Sequence, residues 1–406
     1  MKGVIKYATV VFVIIQVFLS CTKSTENQNL NVTTPSTPTG PSTPSTPTAP
    51  IEQKDLIYIL AGGGKIDLWR ELSLDLQNSS GLNITDSATK FSLQLPSSKS
   101  ALALDSKEDL FFSIPGFIIK YDKATKLISK YLSLVGYFKD KQNIDEYPAI
   151  SWIGFDKDDN LYATSSYSRT LIKYDKASKK ISSYLGASLI QGCVIDKNKG
   201  IIYMTTTEYK NFSFNNNTFC CDKLIKYDIS KQTDSTSYSE LLSDISIFFP
   251  FGATNNLAYD PIKNIIFIPS NESGTVYSID LNLIKPILRL GDVGIANAFF
   301  ATYNFRSSSG NPFSLFFDSF RSRLFISNRD GNYNKVHWTD IGSKQTIDYI
   351  GTNVVANGFV FDINKINGTN RQNLIFGSPG EIVVSSDGIL YMTDVKANLI
   401  YKLKTL

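Results

Sequence analysis

The chain has 406 residues, of which 42% are hydrophobic and 19% charged, and its formal net charge at pH 7 is +4. This near-balance of charges gives no sign of a polyanionic partner, so the composition argues against a nucleic-acid-binding protein. The single histidine excludes a three-histidine zinc site anywhere in the chain.

Residues 1–20 have the pattern of an export signal. Lys2 and Lys6 precede an apolar run from Val10 to Leu19 that is interrupted only by Gln16. The run is too short to span a membrane as a helix. We therefore expect the protein to be exported.

The end of this signal, Ser20-Cys21, resembles a bacterial lipobox. The resemblance implies cleavage before Cys21 and a lipid on its sulfur, although Phe18 departs from the usual aliphatic residue. An ordinary signal peptide that is cut nearby is the alternative. The lipobox reading places the protein in the cell envelope, lipid-anchored to a bacterial membrane.

Residues 21–50 combine the lipidated cysteine with a spacer of low complexity. Prolines recur at every third position from Pro35 to Pro50, with Ser, Thr, Gly and Ala between them. Polyproline II has three residues per turn, so such a segment is a semi-stiff spacer that buries no core. The folded domain is therefore expected over residues 51–406.

A strand–turn–strand pattern repeats through this domain, and its clearest copy runs from Glu381 to Leu403. Apolar and aromatic residues fill the strands, and Asp-Gly at 387–388 supplies a tight turn. The six inner strands are predicted at Ala101–Asp105, Trp152–Asp156, Gly192–Asp196, Asn256–Asp260, Ser314–Asp318 and Glu381–Ser385. A repeat of this length indicates a propeller or a solenoid.

Five repeats continue into a fourth strand, which in the fourth repeat is predicted at Pro286–Leu290. The sixth repeat reaches the end of the chain without one. Leu56–Gly62 has the matching pattern at the other end of the domain. We therefore predict an all-β, six-bladed β-propeller closed by an N-terminal strand that completes the last blade, because closure removes an exposed sheet edge.

Two segments resemble parts of NHL-repeat propellers. They are Leu60-Ala61-Gly62-Gly63-Gly64 near the start of the domain and Phe376-Gly377-Ser378-Pro379-Gly380 before the final repeat. The family includes protein-binding, RNA-binding, lactonase-like and lyase members, so the resemblance implies the fold without choosing a function.

The long connections all belong to one face of the predicted propeller, the long-loop face. These connections carry many aromatic rings. The rings could bind a protein or glycan surface, and the alternative is that they pack the loops onto the propeller. The candidate ligand-binding residues are Tyr137, Tyr147, Tyr209, Tyr303 and Phe305. We expect a monomer that binds a protein or glycan partner and uses no cofactor.

A calcium-dependent hydrolase, lactonase or lyase is the alternative function. The resemblance to lactonase-like propellers implies a calcium at the pore end of the inner strands, where Asn255, Asn256 and Glu381 fall. Two alignments of these strand ends, one residue apart, remain open, and neither supplies a full oxygen cage.

Three cysteines and one histidine complete the set of candidates. Cys193, Cys220 and Cys221 belong to one blade of an exported protein, so a disulfide and buried thiols are alternative interpretations. His337 lies in a third strand, at the position that is lysine in other repeats. Side chains alternate between the two faces of a strand, and this position is expected to face outward, so we predict an exposed histidine.

Overall fold

The computed structural model of the chain describes part of its second unit, Ile51–Leu406. The described residues are 56–62, 83–84, 100–138, 148–165, 168–185, 189–207, 223–231, 238–243, 256–270, 275–283, 303–304, 311–329, 334–342, 346–351 and 368–404. The signal and spacer predicted for 1–20 and 21–50 lie outside these residues and stay predictions.

Six antiparallel sheets form a ring, which confirms the six-bladed β-propeller. The innermost strand of each sheet contacts the innermost strand of the next sheet. The ring is complete because the innermost strand of the sixth sheet contacts the innermost strand of the first. The inner strands are Leu102–Leu104, Ile150–Phe155, Leu189–Asp196, Ala258–Asp260, Asn311–Asp318 and Pro379–Val384.

The second strands are deeply buried, because both of their faces pack against neighbouring blades. They are Leu110–Ile114, Leu161–Ser165, Ile201–Thr207, Ile265–Ser270, Arg323–Arg329 and Ile389–Asp394. Their large apolar side chains, such as Phe112, Phe267 and Tyr391, are fully buried. This pattern explains the continuous apolar runs in the sequence.

The third strands follow on the outer side of each second strand. They are Phe117–Tyr121, Thr170–Asp175, Lys223–Asp228, Thr275–Asp280, Lys335–Asp340 and Leu399–Lys404. Helical structure among the described residues is limited to two 3-10 turns, Ile229–Lys231 and Arg371–Asn373. In that part of the chain we find no helix long and apolar enough to cross a bilayer.

The fourth strands complete the blades. They are Ile128–Ser133, Lys180–Leu185, Tyr238–Ser243, Tyr303–Asn304, Thr346–Ile350 and, for the sixth blade, Leu56–Gly62. Blades one and six each gain a fifth short strand, Asn83–Ile84 and Thr369–Asn370. In blade four the described fourth strand, Tyr303–Asn304, pairs with Thr275 and Val276. The predicted strand Pro286–Leu290 lies outside the described residues and stays a prediction.

The N-terminal strand closes the ring as predicted. It pairs antiparallel with Leu399–Lys404, with Ile57 opposite Leu403 and Gly62 opposite Leu399. A bulge between Ile59 and Ala61 interrupts the register. Ile57 and Ile59 pack into the core shared by blades five and six, whereas Leu60 packs into the core shared by blades six and one.

On the surface, Lys123 forms an ion pair within blade one and another with blade six. Lys123 Nζ of blade one lies 2.6 Å from Glu108 Oε2 and 2.9 Å from Asp387 Oδ2, which belongs to blade six. These groups are partly exposed, so each pair adds little stability beside the buried apolar contacts. The closure therefore depends mainly on the N-terminal strand.

The direction of the strands defines two faces. Inner strands end at short turns such as 105–109, and third strands end at short links such as 122–127, on what we call the short-link face. The opposite long-loop face receives the entries to the inner strands and the links between second and third strands. Because Ile57 pairs with Leu403 near the end of a third strand, the N-terminal strand begins at the short-link face.

Candidate functional site

An axial channel of about 550 Å³ runs between the six inner strands. Residues from all six blades line it, and most of its wall is apolar. Wall residues include Leu104, Trp152, Val194, Leu257, Phe316 and Val383. A concave, mostly apolar cavity of this size with few polar groups is typical of a small-molecule site.

Polar groups enter the channel at its long-loop end. Asn256 and Glu381 both line it, at 7% and 4% exposure. Ser314 donates its hydroxyl proton to Glu381 Oε2 across the interface of blades five and six, at 2.6 Å. This end of the channel therefore offers an amide and a carboxylate within an apolar surround, and the buried Ser314 holds the carboxylate in place.

Bulges at the start of the inner strands set which side chains face the channel. Register shifts lie between Ile150 and Trp152, Ile190 and Gly192, Pro312 and Ser314, and Pro379 and Ile382. A bulge adds a residue and re-aims the side chains that follow it. Three residues of the later alignment, Trp152, Asn256 and Glu381, line the channel. Asn255 of the earlier alignment lies outside the described residues, so the choice between the two alignments stays open.

Hydroxyl groups of the second strands hold these bulges closed. Thr393 Oγ1 accepts the backbone N–H of Glu381 at 2.9 Å, and Ser327 Oγ accepts that of Ser314 at 3.0 Å. Ser113 and Thr205 do the same for Ala101 and Gly192. The sequence analysis missed this role, although Ser or Thr recurs as the fourth residue of LFFS, LYAT and LYMT.

Arg329 lies behind Glu381, between blades five and six. Its Nε donates to the Pro379 carbonyl at 2.6 Å, and its guanidinium lies over the ring of Phe313. Burial lowers the pKa of Arg329 to about 10, although Glu381 and Asp394 oppose this shift. No sequence pattern marked this arginine, because the contact depends on the packing of two blades.

The positive charge of Arg329 bears on the predicted calcium site. It faces Glu381, the one carboxylate among the three candidate ligands, and so disfavours a cation there. Among the described residues no group of three or more His, Cys, Asp or Glu side chains is placed to hold a metal ion. Asn255 lies outside the described residues, and the amide ligands stay predictions.

At the short-link end, the channel mouth is charged. Lys197 Nζ of blade three donates to the Leu104 carbonyl of blade one at 3.1 Å and so spans the mouth. Asp105 and Glu108 also line this end, and burial raises the pKa of Asp105. The two ends of the channel therefore differ, because the ammonium group of Lys197 lies at the short-link end and the amide of Asn256 lies at the long-loop end.

The predicted aromatic site is described only in part. Tyr137 is 43% exposed, whereas its neighbour Phe138 is buried in the core shared by blades one and two. Tyr303 lies in the fourth strand of blade four. Tyr147, Tyr209 and Phe305 lie outside the described residues, so the aromatic surface stays a prediction.

The remaining candidates have structural surroundings. Cys193 is fully buried in the core between blades two and three, and Cys220 and Cys221 lie outside the described residues, so the disulfide stays a prediction. The exposed position predicted for His337 is wrong, since it is 7% exposed. Its Nδ1 lies 2.9 Å from Asp348 Oδ1, on the adjacent fourth strand.

The chain matches no protein-family model, and no curated protein matches it. Solved structures of Bacteroides proteins do match it. A protein provisionally called a phosphatase, from Bacteroides thetaiotaomicron VPI-5482, has a TM-score of 0.57 at 14% identity, covering 87% of this chain and 79% of its own.

Two further neighbours are named auxiliary nutrient binding proteins. The one from Bacteroides thetaiotaomicron VPI-5482 has a TM-score of 0.55 at 11% identity and covers 85% of this chain and 75% of its own. The one from Bacteroides ovatus ATCC 8483 has a TM-score of 0.54 at 13% identity, with coverages of 86% and 76%. At these identities the likeness shows the propeller fold alone.

Proposed function

We propose that this chain is an exported lipoprotein, tethered through Cys21 and residues 21–50, whose NHL-like propeller binds a glycan on its long-loop face. The observation that carries the binding role is the apolar channel with Asn256 and Glu381 at its long-loop end. Because the same face receives the long connections, a bound glycan would extend from the channel mouth onto them.

The chemistry of the channel suits a sugar. Sugar rings combine hydroxyl groups, which pair with amides and carboxylates, with C–H faces that pack against aromatic rings. Trp152 lines the channel together with Asn256 and Glu381, and Tyr137 is exposed on the same face. The names of the two nutrient-binding neighbours support a binding role, whereas the provisional phosphatase name supports an enzyme.

Calorimetric titration of residues 22–406 with a panel of oligosaccharides tests the proposal. Asn256→Leu and Glu381→Leu should each weaken binding of the recognised sugar by roughly tenfold, because each removes a hydrogen-bonding group inside an apolar cavity. Lys197→Gln, at the opposite mouth of the same channel, is the matched control and should bind normally. Failure of every sugar to bind, or equal affinity of all variants, overturns the proposal.

A calcium-dependent hydrolase or lyase is the second candidate, because Asn256 and Glu381 line the same channel end. Elemental analysis of the purified protein distinguishes the two. Calcium at one ion per chain that disappears in the Asn256→Leu variant supports the enzyme. Sugar binding that is unaffected by a chelator supports the binding protein.

A further inference from the structure

Exposed apolar side chains are concentrated on one side of the ring. Among the described residues, four of the five exposed large hydrophobic side chains lie toward the short-link face of blades four and five. They are Ile262 at 77%, Phe320 at 75%, Leu283 at 46% and Ile347 at 43% exposure, and we call them the blade 4–5 patch. The fifth, Tyr137, lies on the long-loop face.

The turns that carry this patch are held by specific hydrogen bonds. Asn264 Nδ2 donates to Asn282 Oδ1 at 2.8 Å, which ties the turn of Ile262 to the link of Leu283. Asp318 Oδ1 accepts the backbone N–H of Phe320 at 3.1 Å. The side chains are therefore presented to solvent by an ordered framework, as at an interaction surface.

Lysines lie in the patch and beside it, toward blade three. Lys263 follows Ile262 directly, and Lys197 and Lys199 occupy the corresponding turn of blade three, all three of them exposed. The acids in those turns, Asp196 and Asp260, are buried and accept backbone N–H groups. Asp196 also lies 3.3 Å from Lys199 Nζ, so the charge of Lys199 is partly balanced.

The attachment of the preceding chain gives an independent indication. The N-terminal strand begins at the short-link face, because Ile57 pairs with Leu403 near the end of a third strand. Whatever precedes Leu56 therefore joins the propeller on the face that carries the patch. A tether from Cys21 would therefore be connected to this face.

We propose that the blade 4–5 patch, with Lys197, Lys199 and Lys263, docks onto an anionic lipid surface. Exposed apolar side chains enter the headgroup boundary, and the lysines pair with anionic headgroups. One lipid chain alone gives weak, reversible attachment, and a second contact of this kind makes it stable. The inference rests on the proposed anchor only in that the tether keeps this face near the membrane.

Sedimentation with lipid vesicles tests the docking without the anchor. Unlipidated protein, residues 22–406, should sediment with vesicles containing phosphatidylglycerol, bind poorly to pure phosphatidylcholine, and be released by high salt. Ile262→Ser combined with Phe320→Ser should weaken binding by roughly tenfold. Lys197→Glu combined with Lys263→Glu should weaken it on anionic vesicles alone.

Tyr137→Ser is the matched control, since it removes an exposed aromatic ring from the opposite face. It should sediment like the parent protein, and all variants should keep the parent's unfolding temperature. Absence of vesicle binding by the parent, or equal loss in the Tyr137→Ser variant, overturns the proposal. Fatty-acid labelling of the full chain and its Cys21→Ala variant reports on the anchor separately, so the two failures are distinguishable.

Discussion

At the residue scale, buried and half-buried carboxylates shape the short-link face. The aspartate that ends an inner strand accepts the backbone N–H two residues later, which closes a tight turn. Asp105, Asp156, Asp196, Asp260 and Asp318 do so in five blades. Asp122, Asp175, Asp228, Asp280 and Asp340 form related turns after the third strands. Two such turns in nearly every blade keep this face compact.

Asp122 makes these turns sensitive to acid. Hydrogen bonds from the Thr125 backbone and hydroxyl, together with Lys120, lower the pKa of Asp122 to about 2. This pKa lies below the pKa of about 4 in the unfolded chain. The carboxylate therefore stabilises the fold at pH values above about 4, and this stabilisation is lost as the pH falls through about 2. Asp122→Asn should therefore be less stable than the parent at neutral pH, with the difference vanishing at strongly acid pH.

Urea unfolding of both proteins across this pH range measures the effect. Asn keeps an oxygen acceptor for the turn, so the comparison isolates the charge. A difference between the two proteins that stays constant from neutral to strongly acid pH would contradict the assignment.

Gly154 is constrained by the tryptophan that lines the channel. A Cβ at this position would lie 2.5 Å from Trp152 Cζ2 and 3.1 Å from Ile195 Cγ2. Trp152 is packed into the core between blades two and three, so it moves only at a cost. Gly154→Ala should destabilise the protein by about 1–3 kcal/mol.

A double-mutant cycle identifies the cause of that destabilisation. Trp152→Leu removes the clashing ring atoms, so adding Gly154→Ala to it should cost much less than in the parent. Chemical unfolding of the four proteins gives the coupling energy. Additive costs would mean that backbone entropy, and not the contact with Trp152, explains the glycine.

Some residue-level features were invisible in the sequence for a physical reason. His337 occupies an alternate position that predicts exposure, yet Asp348 of the next strand covers it. The pairing of His337 with Asp348 depends on the bulge between Val336 and His337, and no local sequence pattern predicts this bulge. The contact of Arg329 with Phe313 likewise joins different strands.

At the element scale, the sequence predicted most of the fold. Each inner strand was located within a few residues, because apolar runs end at an aspartate or serine turn. In blade four the sequence did not predict the described strand Tyr303–Asn304, because it is only two residues long. A strand that short has no periodicity of its own and is specified by its partner.

The N-terminal strand is the element whose removal should matter most. It buries Ile57, Ile59 and Leu60, each contributing about 1.5–3 kcal/mol. Their sum is comparable to the total stability of a typical domain, about 5–15 kcal/mol. A protein that begins at residue 63 should therefore unfold at a much lower temperature than one that begins at residue 51.

Two controls accompany this comparison. A protein that begins at residue 22 should unfold at the same temperature as the one beginning at 51, because residues 22–50 are predicted to pack on nothing. Ile57→Ala alone should cost about 2–5 kcal/mol, as expected for a buried isoleucine. Equal unfolding temperatures for the proteins beginning at 51 and 63 would show that the strand does not hold the ring closed.

At the scale of the whole molecule, closure by the first strand also fixes the face at which the preceding chain joins the propeller. A strand that completes the last blade must run from the short-link face to the long-loop face, because it is antiparallel to Leu399–Lys404. The long connections and the polar end of the channel therefore lie on the far side of the ring from the attachment point. That arrangement leaves the proposed glycan-binding face open to large ligands.

Cysteine labelling of lipidated protein in liposomes tests this orientation. Tyr137→Cys places a thiol on the long-loop face, and Ile262→Cys places one on the short-link face, at two exposed positions. A water-soluble maleimide should react with the first equally fast in liposomes and in detergent. It should react with the second more slowly in liposomes, because the tether and the patch hold that face against the bilayer.

The parent protein, labelled in parallel, corrects for its own cysteines, of which Cys193 is buried. Slower labelling of the Tyr137→Cys variant in liposomes would mean that the propeller turns its long-loop face to the membrane. Equal rates for both positions in both media would mean that the propeller tumbles freely on its tether. Selective protection of the Ile262→Cys position is the result expected, because only that face carries both the attachment point and the exposed apolar side chains.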